Sequence, residues 1–180
     1  MADLKKMMAY ALSSSDITNN LNCNLVTYRE IMKMKTLSEV MGEYKCAVIL
    51  YEAVKNHGHW CTIFQVSPDL VEFFDPYGHS VNYSLTYADK KFLNDNNIKN
   101  SKLIKMLIDS DYKNIEYNNF PIQSKNKGVA TCGRHVLIRC KNRSLTLAEY
   151  YNKLKGIKEK NGDTFDEIVT KLTINIPRKI

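Results

Sequence analysis

The chain has 180 residues, of which 44% are hydrophobic and 25% charged, a balance typical of one compact domain and too short for two sizeable ones. No apolar run approaches the roughly 20 residues of a membrane span, and the N-terminus lacks the apolar core of a signal peptide. Five scattered cysteines without a CxxC pair disfavour a disulfide framework and a structural zinc cage. We therefore expect a soluble, intracellular protein that does not contact a membrane.

The net charge of +7 is unevenly distributed. Residues 1–124 carry 13 Lys and Arg against 14 Asp and Glu, whereas residues 125–180 carry 13 against 5. A concentrated positive field favours binding to nucleic acid and other polyanions. Composition alone, however, favours a solvated lysine surface.

The first predicted elements are short. Residues 13–16, Ser-Ser-Ser-Asp, predict the start of a helix before Ile17, and residues 28–34 and 37–41 predict one or two further helices. Residues 46–51 form an apolar run of strand length, which we expect to be buried on both faces.

The strongest hairpin signal comes next. Two strand-like runs, residues 60–66 and 70–74, are separated by a Ser-Pro-Asp turn in which proline presets φ and aspartate bonds its own backbone. A second turn, Asp-Pro-Tyr-Gly, follows at residues 75–78.

The remaining pattern is mostly helical. Residues 102–108 are amphipathic, and residues 136–140 begin an apolar face. Residues 146–149 and 164–167 are both Thr-x-x-Glu capping boxes, and Gly156 is predicted to stop the helix that follows the first box.

This order of elements predicts an α+β fold with a three-stranded core. Nothing in the composition marks a domain boundary, so we predict a single domain over residues 1–180. It would have a helical part over residues 1–44, a core over residues 45–140 and basic helices over residues 141–180.

His59 and Asp75 lie toward the same end of the predicted hairpin and are candidates for an acid–base pair. With a tight turn at residues 67–69, Asp75 falls opposite Thr62, about 10 Å from His59 at a rise of ~3.3 Å per residue. A twist or a bulge must close this gap. The alternative reading of Asp75 is a turn residue before Pro76.

Cys132 stands where a loop becomes a helix. The unpaired backbone N–H groups and the macrodipole at a helix N-terminus both favour a thiolate. His59 would deprotonate this thiol, and Asp75 would fix the tautomer of the imidazole. Gln123 would donate a side-chain N–H to the developing oxyanion, beside the backbone N–H of Cys132.

This ordered set resembles a protease family. His59-Trp60, the turn at residues 75–78, Gln123 and the Thr-Cys-Gly-Arg-His run at residues 131–135 are similar to motifs of the adenovirus maturation protease (adenain) and the related SUMO-specific proteases. The likeness spans about residues 45–140 and is strongest to capsid-maturation proteases of virophages, adenovirus-like elements and large DNA viruses. It implies a papain-like or adenain-like fold, with a central mixed sheet flanked by helices.

The resemblance also implies residue roles: nucleophile Cys132, base His59, orienting residue Asp75 and oxyanion donor Gln123. It further implies that Trp60 and Gly133 line or shield the substrate cleft, although Trp60 is equally explained as a core aromatic.

The chain departs from the family in two places. Gln123 precedes Cys132 by nine positions, a longer separation than is expected in the family. Thr131 stands where SUMO-specific proteases commonly have an aspartate, which favours the viral branch.

A metal site is the main alternative for the histidines. His57, His59 and Cys61 alternate along one strand, and His79 is the nearest fourth candidate. Three ligands from a single short strand do not readily form a tetrahedral set, so we expect no metal. His57 and His79 are then ordinary loop histidines.

The other histidine and cysteines are assigned to packing. His135 shares a helix face with Cys132 but is not expected to be the base. The four remaining cysteines are expected to be small buried hydrophobes: Cys23, Cys46, Cys61 and Cys140.

The expected function is that of a cysteine endopeptidase that cleaves viral capsid or precursor proteins during virion maturation, through a thioester acyl-enzyme. Two alternatives stay open: an isopeptidase that removes SUMO or ubiquitin from host proteins, and a non-catalytic nucleic-acid-binding protein. A monomer in the virion and the infected-cell cytoplasm is expected if the protein is viral.

The chemistry requires no cofactor, but the resemblance admits DNA and an activating peptide as stimulators. Six cations are candidates for binding a polyanion: Lys125, Lys127, Arg134, Arg139, Lys141 and Arg143.

Overall fold

The computed structural model describes residues 3–99 and 101–176, and its centre is a five-stranded mixed sheet in the order β1-β2-β3-β4-β5. The outer pairs β1/β2 and β4/β5 are parallel, and the inner pairs β2/β3 and β3/β4 are antiparallel. The strands are β1 Asn24–Thr27, β2 Cys46–Val54, β3 His57–Ser67, β4 Leu70–Phe74 and β5 Asn114–Tyr117.

The helices cover both faces of this sheet. They are α1 Leu4–Ala9, α2 Ser14–Thr18, α3 Tyr28–Ile31, α4 Leu37–Met41, a 3-10 helix Tyr83–Tyr87, α5 Lys90–Asp95, α6 Lys102–Ile108, α7 Cys132–Lys141, α8 Leu147–Asn161 and α9 Phe165–Leu172. The predicted α+β class is confirmed. Among the described residues, no helix combines the length and apolar character needed to cross a bilayer.

Alternation along the strands divides the core between the two faces of the sheet. Ala47, Ile49 and Cys61 face α3, α4 and α6, whereas Val48 and Trp60 face α7. A third apolar cluster joins the end of β4 to α7, α8 and α9. Because α7 is enclosed between the sheet and these last helices, all of its residues except the terminal Lys141 are buried.

The predicted helix starts are confirmed by reciprocal capping boxes at Ser13, Thr146 and Thr164. The predicted stop at Gly156 is wrong, because α8 continues to Asn161 and ends at Gly162, whose φ is 73°. A glycine within a helix costs only about 1 kcal/mol relative to alanine, and a capped helix of this length tolerates it.

The β3–β4 hairpin is confirmed, but its register differs from the predicted one by a residue. Thr62 pairs with Phe74, and the register shifts between Gln65 and Ser67. This bulge moves Asp75 from the position opposite Thr62 to the neighbourhood of Cys61, which shares a strand face with His59. The offset to His59 falls to two residues, about 7 Å along the strand, and side chains can span it.

Candidate active site

A cleft of 480 Å³ opens where β3, the turn after β4, the loop before α7 and the start of α7 meet, and it brings together His59, Gln123 and Cys132. A larger cavity of 560 Å³ lies between α4, α6 and the β3–β4 turn, but no thiol or imidazole lines it. The smaller cleft is therefore the candidate site, because it contains the reactive groups.

Asp75 is held as the partner of His59. The two side chains meet at 2.7 Å between Nε2 of His59 and Oδ1 of Asp75. The fully buried carboxylate also accepts hydrogen bonds from the backbone N–H of Tyr77 at 2.8 Å and from the hydroxyl of Ser84 at 3.2 Å. The turn that contains Asp75 thus orients a carboxylate as well as reversing the chain.

The imidazole of His59 is fixed on its flat side as well. The ring of Tyr77 stacks on it, with 4.5 Å between centroids and an interplanar angle of 16°. Gly58, just before His59, pairs tightly with β2, since a Cβ there would lie 1.9 Å from the carbonyl oxygen of Tyr51. Only glycine fits at that position.

Cys132 is the first residue of α7, and its thiol interacts with His59. Burial opposes ionisation, but the hydrogen bond and the charge of His59, with further backbone hydrogen bonds, hold the pKa of Cys132 below its usual value. Burial also opposes protonation of His59, yet Cys61, Asp75 and Cys132 together raise its pKa well above the ordinary value. The site therefore favours a thiolate beside an imidazolium.

A second thiol, that of Cys61, lies beneath His59. Burial raises the pKa of Cys61 to about 12, so this thiol stays protonated at neutral pH. A protonated Cys61 carries no negative charge, so at neutral pH the hydrogen bonds with Asp75 and Cys132 are the largest remaining causes that raise the pKa of the imidazole. Cys61 is fully buried, whereas Cys132 lines the cleft. Of the two thiols, only that of Cys132 is accessible from the cleft.

The residues that could bind a metal ion differ from those predicted from the sequence. His59, Cys61 and Asp75 have ligand atoms within 4.8 Å of one another, whereas His57 is exposed at the start of β3. A metal on Nε2 of His59 would displace the hydrogen bond to Asp75. A metal ion on that nitrogen and the hydrogen bond to Asp75 are therefore mutually exclusive.

Gln123 reaches the cleft because its loop is tied to the turn after β4. The backbone N–H groups of Ile122 and Gln123 both donate to the carbonyl of Pro76 at 3.0 Å. Gly78, with φ of 72°, permits this approach, since a Cβ there would lie 2.5 Å from the backbone of Phe120. The side-chain amide of Gln123 donates to the hydroxyl of Tyr77 at 3.4 Å.

Two predicted cleft residues lie beneath the site instead. Trp60 points to the opposite face of β3 from His59 and donates from Nε1 to the carbonyl of Leu12 at 3.1 Å. Gly133 packs against the same pair, since a Cβ there would lie 3.0 Å from Leu12 and 3.2 Å from Trp60. The structure corrects the prediction that Trp60 and Gly133 line the cleft: they seat the start of α7 on the sheet.

The predicted polyanion residues divide into two groups. Lys125, Lys127, Lys141 and Arg143 are exposed. Arg134 and Arg139 are buried, which corrects their assignment to the surface, because α7 is enclosed on all sides. Arg134 donates to the backbone and hydroxyl of Thr173, and Arg139 pairs with Glu72.

Three residues beside the site were not assigned to it from the sequence. Ser84 bonds Asp75, Tyr77 stacks on His59, and His79 lies with Nδ1 at 3.6 Å from Oδ2 of Asp75. Tyr77 lies in the turn that begins at Asp75, and His79 directly follows that turn. Their closeness to Asp75 in the chain was therefore a sequence signal that both could lie beside the site. Ser84 has no such signal, because the 3-10 helix that carries it was not predicted.

Comparison with known proteins gives one informative relative. The chain is 32% identical over 176 residues to the uncharacterized protein V9 of Sputnik virophage, and the match covers 97% of this chain and 100% of the relative. No model of a known protein family matches the chain. The central domain of the uncharacterized Lpg1148 protein from Legionella pneumophila aligns over 93% of this chain and 99% of that chain, with 13% identity and a TM-score of 0.40, from which nothing further follows.

Proposed function

The chain belongs to the family of the Sputnik virophage protein V9, and we propose that it is a cysteine endopeptidase of the adenain-like, papain-like type. The observation that carries this proposal is a shared cleft. It contains the thiol of Cys132 at the start of an enclosed helix and the imidazole of His59, which is bonded at 2.7 Å to a buried carboxylate. This arrangement suits nucleophilic acyl transfer.

In the proposed reaction, the thiolate of Cys132 attacks the scissile carbonyl carbon and forms a tetrahedral oxyanion. The side-chain amide of Gln123 and the backbone N–H of Cys132 donate hydrogen bonds to that oxygen. His59, as imidazolium, then gives its proton to the leaving amine, and the C–N bond breaks to leave a thioester.

The second half-reaction returns the enzyme to its starting state. Neutral His59 takes a proton from water, the hydroxide attacks the thioester, and the acid product leaves as the thiolate is restored. Asp75 stabilises the imidazolium in each half-reaction and keeps the same ring nitrogen directed at the thiol.

The proposed substrates are viral precursor or capsid polypeptides. The relative is a virophage protein, which points to a viral origin of the chain. The wall of the cleft near Cys132 includes Ala11, Val129 and Ala130, so small or apolar substrate residues fit there. Cleavage beside glycine is the version to test first.

The test compares the wild-type chain with Cys132→Ala on a fluorogenic peptide amide that has glycine before the scissile bond. We expect turnover by the wild type, none by Cys132→Ala, and the same circular dichroism spectrum for both. Cys140→Ala, at the other end of the same helix, is the matched control and should keep its activity. A zinc chelator should not reduce turnover.

Other results would redirect the assignment. Wild-type turnover by Cys132→Ala would overturn it. A wild-type chain that leaves peptides intact but is labelled at Cys132 by ubiquitin or SUMO carrying a C-terminal electrophile would be an isopeptidase instead.

A further inference from the structure

One buried carboxylate outside the cleft is bonded to both backbone segments that carry the proposed oxyanion donors. Asp166, in the first turn of α9, is only 4% exposed. Its Oδ2 accepts a hydrogen bond from the backbone N–H of Ser124 at 2.9 Å. Its Oδ1 accepts one from the hydroxyl of Thr131 and one from Nε2 of His135, the latter at 3.0 Å.

Two of these donors, Ser124 and Thr131, are next in the chain to proposed site residues. Ser124 directly follows Gln123, and Thr131 directly precedes Cys132. Asp166 therefore closes the loop between them at both ends, with one oxygen bonded to each end. The residues that carry the two proposed oxyanion donors, Gln123 and Cys132, are next in the chain to these two attachment points.

The hydroxyl of Thr131 does not cap the helix that it precedes. Threonine at a helix N-cap commonly accepts a hydrogen bond from the first turn, and the threonines at the starts of α8 and α9 do so. Thr131 makes no such bond to α7: its ψ is 3°, whereas ψ is 160° and 162° at those two caps, and its hydroxyl donates to Asp166. The side chain of Thr131 therefore leaves the N–H groups of the first turn of α7 uncapped.

The carboxylate is charged when it makes these bonds. Burial would raise the pKa of Asp166, but the hydrogen bonds from His135, Thr131 and the backbone of Ser124 outweigh burial and hold the pKa below its usual value. Burial lowers the pKa of His135, which is therefore a neutral donor at neutral pH. Hydrogen bonds to a charged acceptor are the stronger kind.

We propose that Asp166 is a positioning residue that holds Gln123 and Cys132 at the separation an oxyanion requires. This inference rests on the proposed function. Asp166 does not line the cleft, so it acts through Ser124 and Thr131. It is 34 positions beyond Cys132 in the chain and lies on a different helix.

The test is Asp166→Asn, measured in two assays. Asparagine keeps the volume but presents an N–H₂ group to one of the donors, so we expect kcat for the glycine-containing fluorogenic peptide to fall about 100-fold, with KM within about two-fold. Alkylation of Cys132 by iodoacetamide forms no oxyanion, and its rate should stay within about two-fold of wild type. Asp163→Asn, just before α9, is the matched control.

A second pair of variants covers poor folding of Asp166→Asn. Thr131→Val removes the donor and should lower kcat in the same way, whereas Thr131→Ser keeps a hydroxyl and should restore it. An unchanged kcat, or an equal loss in turnover and alkylation, would overturn the positioning role while leaving the peptidase assignment intact. Absence of wild-type turnover would overturn the peptidase assignment, and this inference with it.

Discussion

The two ends of α7 place identical thiols in opposite environments. At the N-terminal end, Cys132 lines a cleft beside His59, and its pKa is lowered although burial opposes this. At the C-terminal end, the sulfur of Cys140 lies 3.8 Å from that of Cys46 and 3.1 Å from the hydroxyl of Thr62. Burial and Cys46 raise the pKa of Cys140 well above its usual value.

The cations at the two ends differ in the same way. His59 is partly exposed at the cleft and is able to give up its proton. Arg139, beside Cys140, is fully buried and bonded to Glu72 at 2.8 and 2.5 Å. A helix of ten residues thus combines a reactive end with a structural end, and cysteine chemistry follows the neighbours of each thiol rather than its depth alone.

The largest expected effect is at the reactive end. His59→Ala should lower kcat at least about 1,000-fold, because it removes the group that is both base and acid in the proposed reaction. Asp75→Asn should lower kcat by about 100-fold or more, since it weakens the charged partner of the imidazole. Both are measured on the fluorogenic peptide together with urea unfolding, which checks that each variant is folded.

Asp69→Asn, at the other end of the hairpin, is the control for Asp75→Asn, because its carboxylate contacts only exposed Lys113 among the described ion pairs. Equal kcat values for all three variants and the wild type would show that the reactive end has no chemical role.

At the structural end, the expected effect is on stability. Glu72→Ala leaves Arg139 buried and unpaired, and should lower the free energy of unfolding by about 3–5 kcal/mol. Glu116→Ala, on the adjacent strand and more exposed, should change it by less than about 1 kcal/mol. Urea unfolding measures both.

The complete Glu72–Arg139 ion pair is not expected to stabilise the fold. Burial raises the pKa of Glu72 despite the hydrogen bonds from Arg139, so desolvation outweighs their attraction. The double variant Glu72→Leu with Arg139→Met should therefore be about as stable as the wild type. A double variant as unstable as Glu72→Ala would show that the ion pair has a net stabilising role.

The fold was predictable where the signals are local. Pro68 and Asp69 indicated the hairpin turn, and Thr146 and Thr164 indicated helix starts through bonds that span three residues. Strands β1 and β5 were missed because each has only four residues and lies at an edge of the sheet. Their pairing depends on distant parts of the chain.

The candidate site shows the same division. Motif order identified Cys132, His59 and Asp75 as candidates, but the bulge after Gln65 that brings the last two together had no sequence signal. Asp166 was missed for another reason. An acidic residue in the first turn of a capped helix is already explained by the helix macrodipole. The sequence therefore provided no reason to expect that Asp166 also contacts Ser124 and Thr131.

A smaller effect is expected in the reactivity of two thiols that are equally exposed to solvent. Cys132 and Cys23 are both 8% exposed, but burial raises the pKa of Cys23 to about 12, whereas that of Cys132 is lowered. Iodoacetamide should therefore modify Cys132 first in the native protein, as read by mass spectrometry. The midpoint of its rate against pH should lie below that of an ordinary thiol.

The effect of His59→Ala on the pH midpoint of Cys132 alkylation follows from the same causes. His59→Ala removes the two largest causes that lower the pKa of Cys132 and leaves burial, which raises it, and the weaker backbone hydrogen bonds, so the midpoint should move to higher pH. Cys23→Ser is the control and should leave both rate and midpoint unchanged. Equal labelling of Cys23 and Cys132 would contradict the role of His59.

The smallest expected effect concerns polyanion binding at the structural end. Only exposed cations can release counterions from DNA, so Lys141 and Arg143 qualify and the paired Arg139 does not. If the two contact phosphates, Lys141→Gln with Arg143→Gln should reduce the slope of log Kobs against log salt by about 1.8, at about 0.9 per contact. The Glu72→Leu, Arg139→Met variant should leave the slope unchanged. A change of about 0.9 in that second variant would mean that Arg139 reaches DNA, and the two ends of α7 would no longer differ in the way their cations are used.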